Sequence, residues 1–311
     1  MPGENQAILF MYDIIGDVHG QSDLLKELLK QMGYTAKNGV YSHPERKAIF
    51  VGDFINRGPK SRITLSLIRS MVENDHARAI LGNHEINAIY YSFLDKKGVH
   101  LSKKWSRLRL DLDSTLREFY GHEEEWDGYI KWMRRLPLFL ELDHIRVTHA
   151  CWRDQNISLL KENLPEQKLK RSFLKLVGKN GSDLANAFWE TCKGIDFQLP
   201  KDLLVFDSKG QPHRSFRSKW WVDPRGLTFN GLSFESRFDL PSYTIPPEIV
   251  VPVNPYPDND PIVFFGHYCM KNAPNIIAAN LCCLDSCVSR KGKLSAYRWY
   301  GEEKLKQENL V

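Results

Sequence analysis

A repeated unit dominates the first part of the chain: an apolar run, a polar turn and then a helical pattern. The apolar runs cover residues 7–15, 47–51 and 77–81, and the turns after them read Gly-Asp-Val-His-Gly, Gly-Asp and Gly-Asn-His-Glu. Helical periodicity follows at 22–32 and 62–72. Strands that alternate with helices in this way are typical of α/β proteins with parallel strands. The sequence therefore predicts an α/β fold.

The remaining chain predicts two helical segments and a return to strands. Residues 96–133 and 153–209 are charged or polar and helical in pattern, and a hairpin is predicted between them at 138–148. We predict a single domain over 1–311, in which the two helical segments are insertions that cover one face. Apolar runs of strand length resume at 262–265, 281–284 and 294–299.

Composition excludes several classes of protein. With 311 residues, 42% of them hydrophobic, the chain can bury a large core. A net charge of +5 suits an anionic substrate but is too weak to indicate nucleic acid. No apolar stretch approaches the roughly 20 residues that span a bilayer. The six cysteines match no disulfide framework and the start resembles no signal peptide, so we expect a cytoplasmic protein with free thiols and no membrane partner.

Polar side chains follow the predicted strands at the points where these end. The carboxyl ends of strands in α/β folds face the functional site, so such residues converge. Carboxylate and imidazole ligands without thiolates suit Mn, Fe or Zn, and one bridging carboxylate can hold two metals about 3.5–4 Å apart. Two metals can activate a hydroxide for in-line attack on phosphate. The residues are Asp17, His19, Asp53, Asn83, His84, His149 and His267.

Three of these turns resemble the signature blocks of the calcineurin-like metallophosphoesterases. The blocks are Gly-Asp-Val-His-Gly at 16–20, Gly-Asp-Phe-Ile-Asn-Arg-Gly at 52–58 and Gly-Asn-His-Glu at 82–85. More narrowly they resemble the phosphoprotein phosphatase branch, and Thr-His-Ala at 148–150 and Phe-Gly-His-Tyr at 265–268 agree in order. The resemblance spans nearly the whole chain. It implies a four-layer α/β/β/α sandwich, with two mixed sheets flanked by helices.

The resemblance also implies a role for each matching residue. His84 would protonate the leaving oxygen as a general acid, and Arg57 would hold the phosphate oxygens with its planar guanidinium. The cofactors would be two divalent ions, with Mn expected and Fe or Zn as alternatives. Asp17 and His19 would bind the first metal, Asp53 would bridge both, and Asn83, His149 and His267 would bind the second.

Three residues are further candidates for substrate contact. Asn83 would reach the substrate from the second metal site. Arg217, in Arg-Ser-Lys-Trp-Trp, is a candidate second phosphate clamp, although pairing with an acidic neighbour is an equal alternative. Tyr268 follows His267 and is either a substrate contact or, as the more common case, a packed aromatic.

Asn56 departs from the family pattern. Phosphatases of this branch usually carry Asp there, and a carboxylate keeps the acid histidine protonated whereas an amide only orients the ring. We therefore predict that His84 is a weaker acid catalyst and that the reaction favours good leaving groups. Asn-Arg-Gly-Pro-Lys-Ser at 56–61 resembles the symmetrical diadenosine tetraphosphatases, whereas Gly-Asn-His-Glu resembles the protein phosphatases.

The leading hypothesis is a two-metal phosphohydrolase whose substrate is a phosphorylated protein or a small phosphomonoester. One alternative is a hydrolase of dinucleoside polyphosphates such as diadenosine tetraphosphate. The other, from a different class, is a catalytically weak module that binds phosphate or a partner. All six expected metal ligands are present, which argues against this last alternative.

Overall fold

A computed structural model describes most of the chain as two compact units. The described part of the first unit lies within 11–192 and 261–311, and the second unit lies within 193–260. Residues 7–10 of the first predicted strand, and positions 96 and 209 at the insertion boundaries, lie outside the described residues. Those described are 11–94, 97–100, 105–142, 144–179, 181–207, 210–235, 238–270, 275–290 and 292–311.

The predicted alternation of strand, turn and helix is confirmed over residues 11–92. The inner strands are buried on both faces, which explains their continuous apolar runs. The helices instead bury one stripe, such as Leu25, Leu28 and Leu29. The elements are β1 (Met11–Ile15), α1 (Ser22–Gln31), β2 (Thr35–Lys37), β3 (Val40–Ser42), β4 (Arg46–Phe50), α2 (Ser61–Glu73), β5 (Ala77–Ala79) and α3 (Asn83–Ser92).

The two segments predicted as helical insertions do contain helices on either side of the predicted hairpin. The hairpin is confirmed, since its two strands pair antiparallel. The assignment of both segments as insertions into one domain stays a prediction. The elements are α4 (Trp105–Glu118), α5 (Glu123–Met133), β6 (Phe139–Glu141), β7 (Ile145–Thr148), α6 (Asp154–Asn163), α7 (Arg171–Val177) and α8 (Asp183–Lys193).

The second unit begins where strands replace the expected helices. The sequence predicts a purely helical pattern up to 209, but short strands occur from residue 196 onward. Phe197 is buried between two exposed neighbours, an alternation too short to stand out in a polar segment. The elements are β8 (Asp196–Gln198), β9 (Val205–Phe206), β10 (Pro212–His213), β11 (Ser215–Arg217) and α9 (Phe229–Leu232).

The chain then returns to the first unit and completes two mixed sheets, as expected. The last strands are β12 (Ile262–Phe265), β13 (Asn275–Ala278), β14 (Leu281–Cys283) and β15 (Ala296–Trp299). One sheet has the order β15-β1-β4-β5, in which β15 is antiparallel to β1 and the rest are parallel. The other has the order β13-β14-β12-β7-β6, with β12 parallel to both neighbours.

Both sheets contribute side chains to one hydrophobic core. Ile14 and Ile49 of the first sheet and Val147 and Phe264 of the second are fully buried in the same cluster. Because the two sheets share a core, the carboxyl ends of β1, β4, β7 and β12 bring their turns together. This arrangement positions the predicted site.

Two further observations bear on the composition-based expectations. The expectation of free thiols is wrong for Cys269 and Cys287, which form a disulfide with a Cα–Cα distance of 4.8 Å. The two residues follow the adjacent strands β12 and β14, and this tertiary proximity is invisible in their spacing of 18 residues. Among the described residues, no helix is long and apolar enough to cross a bilayer.

Candidate metal centre and phosphate site

Left-handed backbone conformations occur at several predicted site residues. His19, Asp53 and His267 have φ values of 45°, 51° and 63°, and Asn56 and Arg57 have 68° and 66°. Non-glycine residues rarely adopt positive φ, and such strain persists only where surrounding contacts hold it. These sharp turns redirect the side chains that follow each strand into one cluster.

Asp53 lies at the centre of this cluster, as a bridging ligand should. Its Oδ2 atom is 3.7 Å from His19 Nε2 and 3.8 Å from His84 Nε2, and its Oδ1 atom is 3.4 Å from His149 Nε2. The His84 backbone N–H at the start of α3 donates to Oδ1 at 3.0 Å. Burial alone would raise the pKa of Asp53, but the imidazoles of His149 and His84 outweigh it and hold this pKa well below its usual range.

Asp17 and His19 lie together on the first-metal side. Asp17 Oδ2 is 3.9 Å from His19 Nε2, and both side chains are about 1% exposed. His19 Nδ1 is 3.2 Å from the Ile55 carbonyl oxygen, an arrangement in which Nδ1–H donates and the Nε2 lone pair faces the carboxylates. Burial lowers the pKa of His19 to about 3, so the ring is neutral and able to bind a metal.

Asn83, His149 and His267 lie together on the second-metal side. Asn83 Oδ1 is 2.7 Å from His267 Nδ1 and 3.2 Å from His149 Nε2. His149 Nδ1 lies 2.8 Å from the Val51 carbonyl oxygen, which orients Nε2 toward Asp53. The structure thus brings together all six side chains expected to bind metal, although their roles stay a prediction.

The geometry and chemistry of this cluster fit two divalent cations. Two groups of ligand atoms, each within 4.8 Å of one another, share Asp53: one adds His19 and His84, the other His149 and His267. The first contains His84 where the resemblance implies Asp17. Glycines also keep space beside the carboxylates, since a Cβ on Gly82 would lie 2.2 Å from Asp53 Oδ1. Imidazoles and carboxylates that converge in this way suit Mn, Fe or Zn.

The predicted pairing of Asn56 with His84 is present in the geometry. Asn56 Nδ2 lies 2.7 Å from His84 Nδ1, and the Asn56 side chain is fully buried. Burial lowers the pKa of His84 to about 4, and the Asp53 carboxylate only partly opposes this. His84 is therefore neutral at pH 7 because it is buried. That the amide partner makes it a weaker acid catalyst stays a prediction.

Arg57 is the exposed cation of the cluster. Its Nη1 atom lies 3.0 Å from His19 Nε2, so the guanidinium reaches the edge of the candidate metal centre. Its exposure leaves the other N–H groups available to an incoming anion. This position suits the predicted phosphate contact.

The two weaker candidates have different surroundings. Arg217, on β11 of the second unit, faces Asp196 across the strand pair, and its backbone N–H donates to Glu235 Oε2 at 3.0 Å. Its role as a phosphate clamp stays a prediction. Tyr268 is 0% exposed and its ring packs edge-on to His267, which corresponds to the packed-aromatic alternative.

Glu85 is a key residue of the site that sequence reasoning missed. Its carboxylate accepts backbone N–H bonds from Asp53 and Phe54 at 2.8 Å and from Gly82 at 3.0 Å. Burial and the Asp53 carboxylate nevertheless raise the pKa of Glu85 to about 7. An available signal was its place as the third residue of a helix, where Glu commonly binds the N-cap N–H.

Most of the chain matches the sequence profile of one known family. The profile of the family described as calcineurin-like phosphoesterase matches residues 12–271, which is most of the chain. The chain belongs to this family. Members of this family are phosphoesterases that use divalent metals, and the groups of His and Asp side chains described above could hold such ions.

Several relatives of this chain carry the name bis(5'-nucleosyl)-tetraphosphatase. An asymmetrical bis(5'-nucleosyl)-tetraphosphatase of Oceanobacillus iheyensis is 36% identical over 144 residues, which are 44% of this chain and 54% of the relative. A symmetrical bis(5'-nucleosyl)-tetraphosphatase of Vibrio parahaemolyticus is 30% identical over 137 residues, 44% of this chain and 43% of the relative. The chain thus spans about half the length of the curated relatives it matches.

Solved structures confirm the calcineurin-like fold. A protein serine/threonine phosphatase of Saccharomyces cerevisiae matches with a TM-score of 0.50 and 13% identity over 99% of this chain and 80% of that chain. A cold-active protein-tyrosine phosphatase of a psychrophilic Shewanella matches with a TM-score of 0.50 and 14% identity, over 93% and 74% of the two chains. At this identity the likeness concerns the fold alone.

Proposed function

We propose that this protein cleaves the phosphoanhydride chain of dinucleoside polyphosphates at the candidate metal centre. The observation that carries the proposal is the uncharged pair of Asn56 and His84, with Nδ2 and Nδ1 2.7 Å apart. A nucleoside phosphate leaves readily because its phosphate has a second pKa of about 6, whereas a serine alkoxide requires a strong proton donor. The tetraphosphatase names of the relatives support the same choice.

Each residue of the cluster has a role in this proposal. The side chains of Asp17, His19, Asp53, Asn83, His149 and His267 would hold two divalent cations, which supply Lewis-acid activation of phosphate and water when bound. Arg57 would bind the phosphate oxygens from the open side. His84 would donate a hydrogen bond from Nε2 to the leaving oxygen, since its Nδ1 faces the Asn56 amide.

The test compares three substrates with Mn²⁺ supplied. We expect faster turnover of diadenosine tetraphosphate than of para-nitrophenyl phosphate or a phosphoserine peptide. Chromatography of the products identifies the bond that breaks, since two ADP indicate symmetrical cleavage and ATP with AMP indicate asymmetrical cleavage. Preference for the phosphoserine peptide would instead support the protein phosphatase hypothesis.

Variants separate the chemistry from the substrate. Asp53→Asn should abolish turnover, while Asp127→Asn, an exposed aspartate on α5, should match the wild type. Asn56→Asp should raise the activity on esters with poor leaving groups relative to that on the anhydride, because it returns a carboxylate to His84. If Asn56→Asp leaves the ratio of ester to anhydride activity unchanged, the Asn56–His84 pair does not set the preference for good leaving groups. Absence of turnover on all three substrates in metal-loaded protein would favour the binding module.

A further inference from the structure

Helix α4 contacts the turn 56–61 through the hydroxyl of a threonine that the family motifs do not include. Thr115 Oγ1 lies 2.7 Å from Asn56 Oδ1, and the Asn56 backbone N–H donates to Thr115 Oγ1 at 3.1 Å. Thr115 is fully buried and lies in a buried stripe, at helical spacing, with Leu112 of α4 and with Phe119 just after the helix. A polar side chain in such a stripe is costly unless it is hydrogen-bonded, and here its partners belong to the site.

Helix α4 makes a second contact, with the start of α2. The Glu118 carboxylate accepts the backbone N–H groups of Ser61 and Arg62 at 2.8 and 3.0 Å, at the start of α2. Ser61 Oγ in turn accepts the Asn56 N–H at 3.1 Å and lies 3.0 Å from Thr115 Oγ1. Helix α4 therefore binds both ends of the turn 56–61.

We propose that Thr115 is a positioning residue for His84, because it sets the orientation of the Asn56 amide. The Thr115 hydroxyl has one proton, and donating it to Oδ1 leaves the Asn56 Nδ2–H group facing His84 Nδ1. His84 Nδ1 must then accept, which places the ring proton on Nε2. Nε2 is the ring nitrogen that faces Asp53, at 3.8 Å from its Oδ2 atom.

Without the hydroxyl, the amide loses the group that distinguishes its two orientations. Turned by 180°, Asn56 would present Oδ1 to the ring and favour a proton on Nδ1. The Nε2 atom would then face the leaving oxygen without a proton to share. Thr115 thus determines which nitrogen of His84 carries the proton. The catalytic part of this inference rests on the proposed function, whereas the effect on the ring does not.

The first test reads the ring directly in metal-free protein. Proton–nitrogen NMR correlations of the His84 ring, assigned with His84→Gln, should show a protonated Nε2 and an unprotonated Nδ1 in the wild type. Thr115→Val, which is close to isosteric, should move protonation toward Nδ1, and Thr115→Ser should restore the wild-type pattern. Thr35→Val, at an exposed threonine on β2, is the matched control and should change nothing.

The second test reads leaving-group dependence. With Mn²⁺ supplied, Thr115→Val should lower kcat about 10- to 100-fold on phenyl phosphate and much less on para-nitrophenyl phosphate, with KM changed less than about 2-fold. Thr115→Ser should recover most of this loss. If the valine variant does not fold, Thr115→Ala removes the hydroxyl without placing a methyl group beside the amide.

The outcomes separate this inference from the proposed function. A wild-type NMR pattern in folded Thr115→Val or Thr115→Ala would overturn the positioning role, whatever the activity. Equal damage from Thr115→Ser and Thr115→Val would do the same, since it would assign the effect to packing. A wild type without turnover would refute the proposed function but leave the NMR result standing as the test of Thr115.

Discussion

Replacement of Glu85 by glutamine tests how the site's backbone is held. Each carboxylate oxygen of Glu85 serves two N–H groups: Oε2 those of Asp53 and Gly82, and Oε1 those of Phe54 and Ile55. Glutamine keeps one acceptor oxygen, but its amide nitrogen replaces the other. Glu85→Gln therefore leaves two buried N–H groups without an acceptor.

The magnitude follows from these contacts. Each unsatisfied buried N–H costs about 1–3 kcal/mol, so the two together cost about 2–6 kcal/mol. Burial and the Asp53 carboxylate disfavour the charge of Glu85 and raise its pKa to about 7. Because glutamine carries no charge, its removal offsets part of this loss. We expect the free energy of unfolding to fall by about 2–3 kcal/mol. With a slope of about 3 kcal/mol per M urea, the midpoint falls by about 1 M.

The assay is urea-induced unfolding of chelator-treated protein, followed by tryptophan fluorescence. Glu27→Gln, at an exposed glutamate on α1, is the matched control and should unfold like the wild type. Because Asp53 has a left-handed φ of 51° in a turn that loses half of its hydrogen bonds to Glu85, Glu85→Gln should also bind Mn²⁺ more weakly. A midpoint indistinguishable from that of the wild type would refute the conclusion that this carboxylate holds the turn.

Three further changes test separate parts of the structure. Gly82→Ala should abolish Mn²⁺ binding measured by calorimetry, because its Cβ would lie 2.2 Å from Asp53 Oδ1. The control Gly128→Ala, whose Cβ would lie 3.9 Å from Arg69 Nη1, should bind Mn²⁺ normally. Arg57→Ala should weaken inhibition by orthophosphate about 10- to 100-fold, since a charge-assisted contact of about 1.5–3 kcal/mol is lost. An unchanged inhibition constant would show that Arg57 is not part of the phosphate site. The Cys269–Cys287 disulfide closes a loop of 18 residues. Its reduction should lower the free energy of unfolding, measured by urea titration, by about 3 kcal/mol. An unchanged urea midpoint would contradict this.

The strands and helices nearest the site were the most predictable part of the fold. Parallel strands such as β4 are buried on both faces and read as apolar runs, and helices such as α1 repeat leucines at helical spacing, so both patterns are local. Strand β8 was missed because one buried phenylalanine between two polar residues is too short a pattern. The disulfide was missed because strand order, not sequence spacing, brings Cys269 and Cys287 together.

The sequence by itself determined which side chains are available at the site and where each follows a strand. Asp17, Asp53, His149 and His267 stand in ordered turns, and their convergence follows from a general property of parallel strands. The sequence also shows Asn56 at the position where phosphatases of the resembled branch usually carry Asp. A sequence permits these inferences because ligand chemistry depends on residue type, and residue type is local information.

Only the tertiary structure decided which distant groups hold those side chains in place. The Glu85 carboxylate reaches the backbone of residues 53–55, and the Thr115 hydroxyl lies 59 residues from the amide that it contacts. Hydrogen bonds of this kind require atoms within about 3 Å of each other, and no periodic pattern in a single sequence encodes that proximity. Orientation of the site therefore arises from packing between elements, whereas its chemistry arises from the residues themselves.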